Sequence, residues 1–382
     1  MKLLFTGDIN FRNLGILTKE ASYDIISEVK PYFDAADFSI VNLETPLADE
    51  KKLTPIKKSG ANLISDPKNA VLLKALGANV ATLANNHIGD FGYGGVMDTL
   101  SILAENNIKY CGAGENIDRA YDAVKLEKDG ITVSLISVCE NEFGMATENT
   151  VGSAGYSALR LINAIKREKK HSNYVIIVFH GGNEFNPLPS RDTQDRYRLI
   201  CDMGADAVIA GHTHCPQGYE VYNGKPIIYS MGNFLFNSST ERPLNNYWYY
   251  GYMTQLSLTE DVIDFCIIPY KFEPDVPKIA VFEKENKAKM LEYIDNLSQI
   301  IKNPDLLDKF FGGWAYLHKW VPKEPQDYSN MKDYNSSGNY NLICCEAHLA
   351  QAKKVLQLCY LDQIDEAKIW ADKITELQIM PI

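Results

Sequence analysis

Residues 207–214 read Ala207-Val208-Ile209-Ala210-Gly211-His212-Thr213-His214. Four apolar residues in a row describe a strand covered on both faces. Gly211 ends the run, and two histidines follow at i and i+2. Side chains two apart on extended chain point the same way, so both imidazoles can be aimed at one point beyond the strand. The same unit recurs along the chain. Leu3-Leu4-Phe5 leads into Gly7-Asp8-Ile9-Asn10, and Phe38-Ser39-Ile40-Val41 into Asn42-Leu43-Glu44. Val80-Ala81-Thr82-Leu83 leads into Asn85-Asn86-His87, and the run from Tyr174 to Phe179 into His180-Gly181-Gly182. Pro226-Ile227-Ile228-Tyr229 leads into Ser230-Met231-Gly232-Asn233-Phe234, and Ile131 to Val138 adds a further strand.

Helical patterns separate several of these runs: Asp66 to Leu76, Gly95 to Asn106, Tyr156 to Lys169 and Thr193 to Met203. Apolar strands alternating with helices predict an α/β fold. Two more strands follow, Tyr252 to Leu258 and Val262 to Pro269, before Pro274 and Pro277 break the chain. From about Lys284 the character turns helical, with Met290, Leu291, Ile294, Leu297, Ile300 and Ile301 at helical spacing. Ile343 to Leu361 and Gln363 to Leu377 read as two more helices, and Pro322 to Asn341 as a long loop. A boundary near residue 280 is expected, with a catalytic domain over 1–280 and a helical extension over 281–382.

The 382 residues carry 38 Lys and Arg against 49 Asp and Glu, a net charge of −11. Without a dense basic run, such a chain repels phosphate backbones, so nucleic-acid binding is not expected. Eight cysteines without a CxxC pair suggest reduced thiols and a cytoplasmic location. Neither a signal peptide nor a membrane span is expected from the apolar runs.

In open α/β sheets, ligands bind outside the carboxyl ends of the strands. Convergence there would gather the pairs Asp8/Asn10, Asn42/Glu44 and His212/His214. Carboxylate, amide and imidazole together suit Mn, Fe or Zn, and two metals need about this many ligands. A lone Asp at a strand end is ordinarily a cap, and His318 or His348 alone is ordinarily a packing or surface residue. Lys57 and Lys58 read as solvated. The aromatic run Tyr247-Trp248-Tyr249-Tyr250 reads as packing.

Gly7-Asp8, Asn86-His87, His180 and Gly211-His212-Thr213-His214, in this order, resemble the calcineurin-like metallophosphoesterase superfamily. Asn42-Leu43-Glu44-Thr45-Pro46, Leu83-Ala84-Asn85-Asn86-His87 and Tyr229-Ser230-Met231-Gly232-Asn233-Phe234 resemble its capsule-synthesis branch, the CapA/PgsA-type poly-γ-glutamate biosynthesis proteins. The resemblance covers roughly residues 1–270. It implies a four-layer fold, a β-sandwich flanked by helices, with a site for two divalent metal ions. Carried over by position, Asp8, Asn10 and His214 would hold one metal, and Asn86, His180 and His212 the other. Glu44 would bridge them. Asn10 stands where the wider superfamily has His, and an amide is the weaker ligand. Gly181 stands where the branch often carries Trp. His87 would face the substrate, with Asp90 to orient it.

What this implies is a metal-dependent hydrolase with an activated water, acting first of all on a phosphate ester. Arg12 and Arg191 are the candidate contacts to a small-molecule or polymeric anionic substrate. The alternative is a non-hydrolytic subunit of a polymer-synthesis complex, whose helical extension docks capsule-synthesis partners.

Overall fold

Two sheets form from the apolar runs. The protein is seen in a computed structural model that describes residues 1–237, 240, 242–322 and 336–382. In the first sheet, Lys2–Asn10 is followed by Phe38–Leu43, Val80–Thr82 and Lys109–Cys111, all parallel. On its other side, Tyr250–Leu258, Ile263–Glu273 and Lys278–Val281 extend the sheet antiparallel. Asn233–Phe236 pairs parallel with the last residues of Lys2–Asn10. In the second sheet, Ile131–Cys139, Tyr174–His180, Ala207–Gly211 and Lys225–Ile228 are parallel. Val124–Lys128 and Tyr219–Tyr222 close its edges antiparallel.

The sheets face each other. Phe5 and Ile40 of one and Phe179 and Ala210 of the other line the same interior space. Both feed one continuous apolar core. Lys19–Ile26 lies against Lys278–Val281, Gly92–Glu105 against Lys109–Cys111, and Arg191–Asp202 against Ala207–Gly211. The α/β fold expected from the strand–helix alternation is the one observed, in the layered arrangement that the resemblance implies. Ala158–Glu168 shows the local logic. Ser157 caps it by accepting from Arg160 N, and Leu161, Ala164 and Ile165 recur at i, i+3 and i+4 on the buried face.

The helical stretch after Lys284 divides at Asn303, which caps Pro304–His318, so Lys284–Ile301 and Pro304–His318 are separate helices. Two expectations are corrected. Within the segment read as a loop from Pro322 to Asn341, residues 323–335 lie outside the described residues, but Ser336–Cys344 is helical. The single helix expected from Ile343 to Leu361 is broken at Cys345, which is extended and precedes Glu346–Tyr360. The break turns the Cys345 thiol inward, where it donates to Glu140 Oε2 at 3.5 Å. Ile364–Leu377 packs against Pro304–His318. Among the described residues, no helix is long and apolar enough to cross a membrane.

Candidate metal centre

Register gathers the polar strand ends. Asp8 pairs with Asn42 on one side and Asn233 on the other. His180 pairs with Gly211 and Cys139. Close backbone approach makes this possible: a Cβ on Gly7 would lie 1.8 Å from the Gly232 carbonyl oxygen. A Cβ on Gly211 would lie 2.8 Å from Asp8 Oδ1. His212 and His214 have φ of 98° and 56°. Such left-handed conformations cost residues with side chains about 1–3 kcal/mol each and gather at functional sites.

Two groups of donors result, and Glu44 belongs to both. In the first, His180 Nε2 lies 3.0 Å from His212 Nδ1, 3.2 Å from Asn86 Oδ1 and 3.4 Å from Glu44 Oε1. Two donors each about 2.1 Å from one ion, at right angles, sit about 3.0 Å apart. The group is therefore spaced for an ion. In the second, His214 Nδ1 is 3.5 Å from Asp8 Oδ2 and Nε2 is 3.8 Å from Glu44 Oε1. His214 Nδ1 donates to Asn233 Oδ1 at 2.9 Å, which leaves Nε2 as the coordinating atom. Asn42 Nδ2 donates to Asp8 Oδ1 at 2.6 Å and lies 3.1 Å from His180 Nδ1.

Asn10 differs from the other expected ligands. Its Nδ2 donates to the Glu44 carbonyl at 2.9 Å and its Oδ1 accepts from Arg12 N at 2.8 Å. It braces the Glu44 backbone, and one Oδ1 lone pair is left for a metal.

Glu44 decides whether a metal fits. It is fully buried, and neither carboxylate oxygen has a hydrogen-bond partner among the described residues. Burial pushes its carboxyl well above the usual carboxylate range, with the Asp8 charge adding to the rise against His214. An unpaired buried carboxylate is costly, and a divalent cation is the group that satisfies this donor set. Burial holds His180 down at about 4 and pushes His212 well below the usual imidazole range. Both imidazoles are therefore neutral near pH 7 and can coordinate. Burial also opposes charge on His214, but Glu44 and Asp8 outweigh it and hold His214 at about 10.

His87 stands beside this centre. Its Nδ1 lies 2.7 Å from Asp90 Oδ2, and Asp90 Oδ2 also accepts from Leu63 N at 2.7 Å. Lys58 ion-pairs with Asp90 Oδ1, and its side chain is only 4% exposed. The expectation that Lys58 is solvated is thus corrected: the buried Asp90 carboxylate draws it in. Burial lowers the His87 pKa against the pull of Asp90.

A cleft of about 610 Å³ opens over these residues. Arg12, Lys58, Asn86, His87 and His214 line it. Arg191 does not line it. It begins its own helix and bonds Gln194 Oε1 at 2.8 Å, because a guanidinium at a helix start finds partners one turn on. Trp248, read as packing, is buried and donates Nε1 to the Phe236 carbonyl at 2.7 Å. It also lines the cleft, with its ring 4.9 Å from that of His214. Beside Gly181 the space is filled by Glu140, whose Cγ would lie 2.6 Å from a Cβ there. Sequence reasoning passed over Glu142, which lines the cleft 3.8 Å from His212 Nε2. It follows the strand Ile131–Cys139, so the rule of polar strand ends reaches it.

A family model described as "Bacterial capsule synthesis protein PGA_cap" matches residues 2–238. The chain belongs to that family. It is 31% identical over 243 residues to the PGA biosynthesis protein CapA of Bacillus subtilis (strain 168), covering 62% of this chain and 64% of that protein. It is 29% identical over 225 residues to the capsule biosynthesis protein CapA of Bacillus anthracis, covering 57% and 55%. The chain thus spans less than two thirds of the length of these PGA_cap relatives. A solved putative 5'-nucleotidase from Staphylococcus aureus, in complex with alpha-ketoglutarate, is similar at 13% identity and a TM-score of 0.42, over 78% of this chain and 58% of that one.

Proposed function

We propose that the protein is a metal-dependent hydrolase that acts on a phosphate ester. The observation that carries this is Glu44, a buried carboxylate with no hydrogen-bond partner among the described residues that is shared by two donor groups, one with His180 and His212 and one with Asp8 and His214. Asn86, His180 and His212 would hold one ion, and Asp8, His214 and Asn10 the other, with Glu44 between them. Bound divalent ions at such a centre supply Lewis acidity and a water of lowered pKa.

The remaining work falls to the chain's own side chains. Asp90 accepts the Nδ1 proton of His87 and fixes the ring, so that Nε2 exchanges a proton with the leaving group. Lys58 neutralises Asp90 and brings positive charge to the cleft. Arg12 binds the anionic part of the substrate. Asn42 and Asn233 hold Asp8, His180 and His214 in orientation. We further place the protein in the cytoplasm, a placement supported by eight free thiols.

Hydrolysis of a generic phosphodiester by the Mn²⁺-loaded protein tests the proposal. Turnover that vanishes in both Asp8→Ala and His212→Ala is expected. Turnover kept in both contradicts it. The biosynthesis names of the relatives favour one second reading, in which the same anion-binding centre serves a polymer-synthesis complex without hydrolysis. Metal-dependent binding of an oligomeric γ-glutamate without turnover of any ester would favour that reading.

A further inference from the structure

The family match ends at residue 238, but the cleft continues into the C-terminal helices. Trp314, His318, Trp320, Asn341, His348 and Gln351 line it from that side. Polar ties bind this wall to the loops that follow Ile131–Cys139 and Tyr174–His180. Asn141 donates N–H and Nδ2 to Glu346 at 2.9 and 2.7 Å. Asn183 Nδ2 donates to the Ala347 carbonyl at 3.1 Å, and Asn341 Nδ2 to Glu142 Oε2 at 3.3 Å. The wall is therefore positioned by the same loops that frame the centre.

Its inner surface is aromatic. Trp314 and His318 have ring centroids 3.9 Å apart, and Trp320 and His348 4.6 Å apart. Trp320 is 37% exposed and His318 is also exposed, so both offer ring faces. Phe185 and Trp248 line the same cleft, with the Arg242 guanidinium 4.7 Å from the Trp248 ring. Trp314 Nε1, His348 Nδ1 and Asn341 Oδ1 are buried without a hydrogen-bond partner among the described residues. Glu142 and Glu184 also line the cleft.

We propose that the C-terminal helices form the substrate-selecting wall of the centre, and that this wall takes a phosphate ester carrying a ring. The proposal rests on the hydrolase reading above. The phosphate lies toward Arg12 and Lys58, and the ring lies against the Trp320–His318 side. A flat ring stacks on aromatic faces, and a sugar ring presents its apolar face to them. An acyclic or polycarboxylate chain gains neither contact.

Calorimetric binding to the full-length, Mn²⁺-loaded protein tests this with three non-hydrolysable probes: phenylphosphonate, a hexose phosphonate and methylphosphonate. At least one ring probe is expected to bind about tenfold or more tightly than methylphosphonate, which corresponds to one stacked ring. The better of the two tells an aromatic from a sugar substrate. Trp320→Ala is expected to cut the ring advantage at least fivefold, and His318→Ala serves as a second exposed variant. Tyr360→Ala, 87% exposed on the last turn of its helix, keeps the advantage. Equal binding of all three probes, no binding of any, or an advantage untouched in both wall variants overturns the proposal. A ring advantage without turnover of the matching esters refutes hydrolysis and leaves the selecting wall standing.

Discussion

Glu44 and Asp90 are both fully buried carboxylates beside one cleft, and their surroundings are opposite. Asp90 is surrounded by donors: the Lys58 ammonium, the His87 ring and the Leu63 amide. Glu44 has no hydrogen-bond partner on either oxygen among the described residues. A carboxylate whose partners are all internal braces the fold. One that faces imidazoles and accepts no hydrogen bond among the described residues can take a cation from outside. Burial alone therefore does not distinguish a structural acid from a coordinating one; the identity of the neighbours does.

Substitution should separate the two most sharply. Glu44→Ala is expected to lower hydrolysis by about 10³-fold or more. In chelator the same variant should melt close to wild type, because neither Glu44 oxygen has a hydrogen-bond partner among the described residues. Activity assays and thermal melts with and without metal check both halves. Asp90→Ala should do the reverse for stability. It leaves Lys58 buried without its counter-ion, a loss of about 3–5 kcal/mol with or without metal, read by denaturant unfolding. Its activity should fall about 10²–10⁴-fold through loss of the His87 orientation.

Metal affinity should depend on pH. The Glu44 and Asp8 charges hold His214 at about 10, so it carries a proton near pH 7 without metal. Coordination requires release of that proton, so apparent affinity should rise with pH and loading should acidify a weakly buffered solution. Loading without proton release contradicts this charge assignment. The smallest effect is expected at Arg191, which bonds within its own helix. Arg191→Ala should change stability by no more than about 0.5 kcal/mol, with hydrolysis unaltered.

Much of the candidate centre was legible because its polar residues follow apolar runs at fixed offsets. Asp8, Glu44, His180, His212 and His214 come together for that reason. Lys58 was not legible. It sits in an irregular stretch without periodicity and reaches an aspartate 32 residues away. Trp320 and His348 were illegible as cleft residues for a related reason. Trp320 follows Pro304–His318 and His348 lies in Glu346–Tyr360, and this region reaches the centre through contacts such as Asn141–Glu346, 205 residues apart in sequence. Arg191 follows the strand end at His180, yet it bonds Gln194 within its own helix and does not line the cleft. The break at Cys345 was hidden because apolar spacing continues across it, while the thiol bond to Glu140 is long-range.

Metal content is the most direct measurement, made by elemental analysis of the full chain purified without chelator and reconstituted with Mn²⁺. About two equivalents per chain are expected in the wild type, falling to about one or fewer in Glu44→Ala. A wild-type chain that retains no metal, or a Glu44→Ala chain that keeps the full complement, would contradict a centre bridged by Glu44.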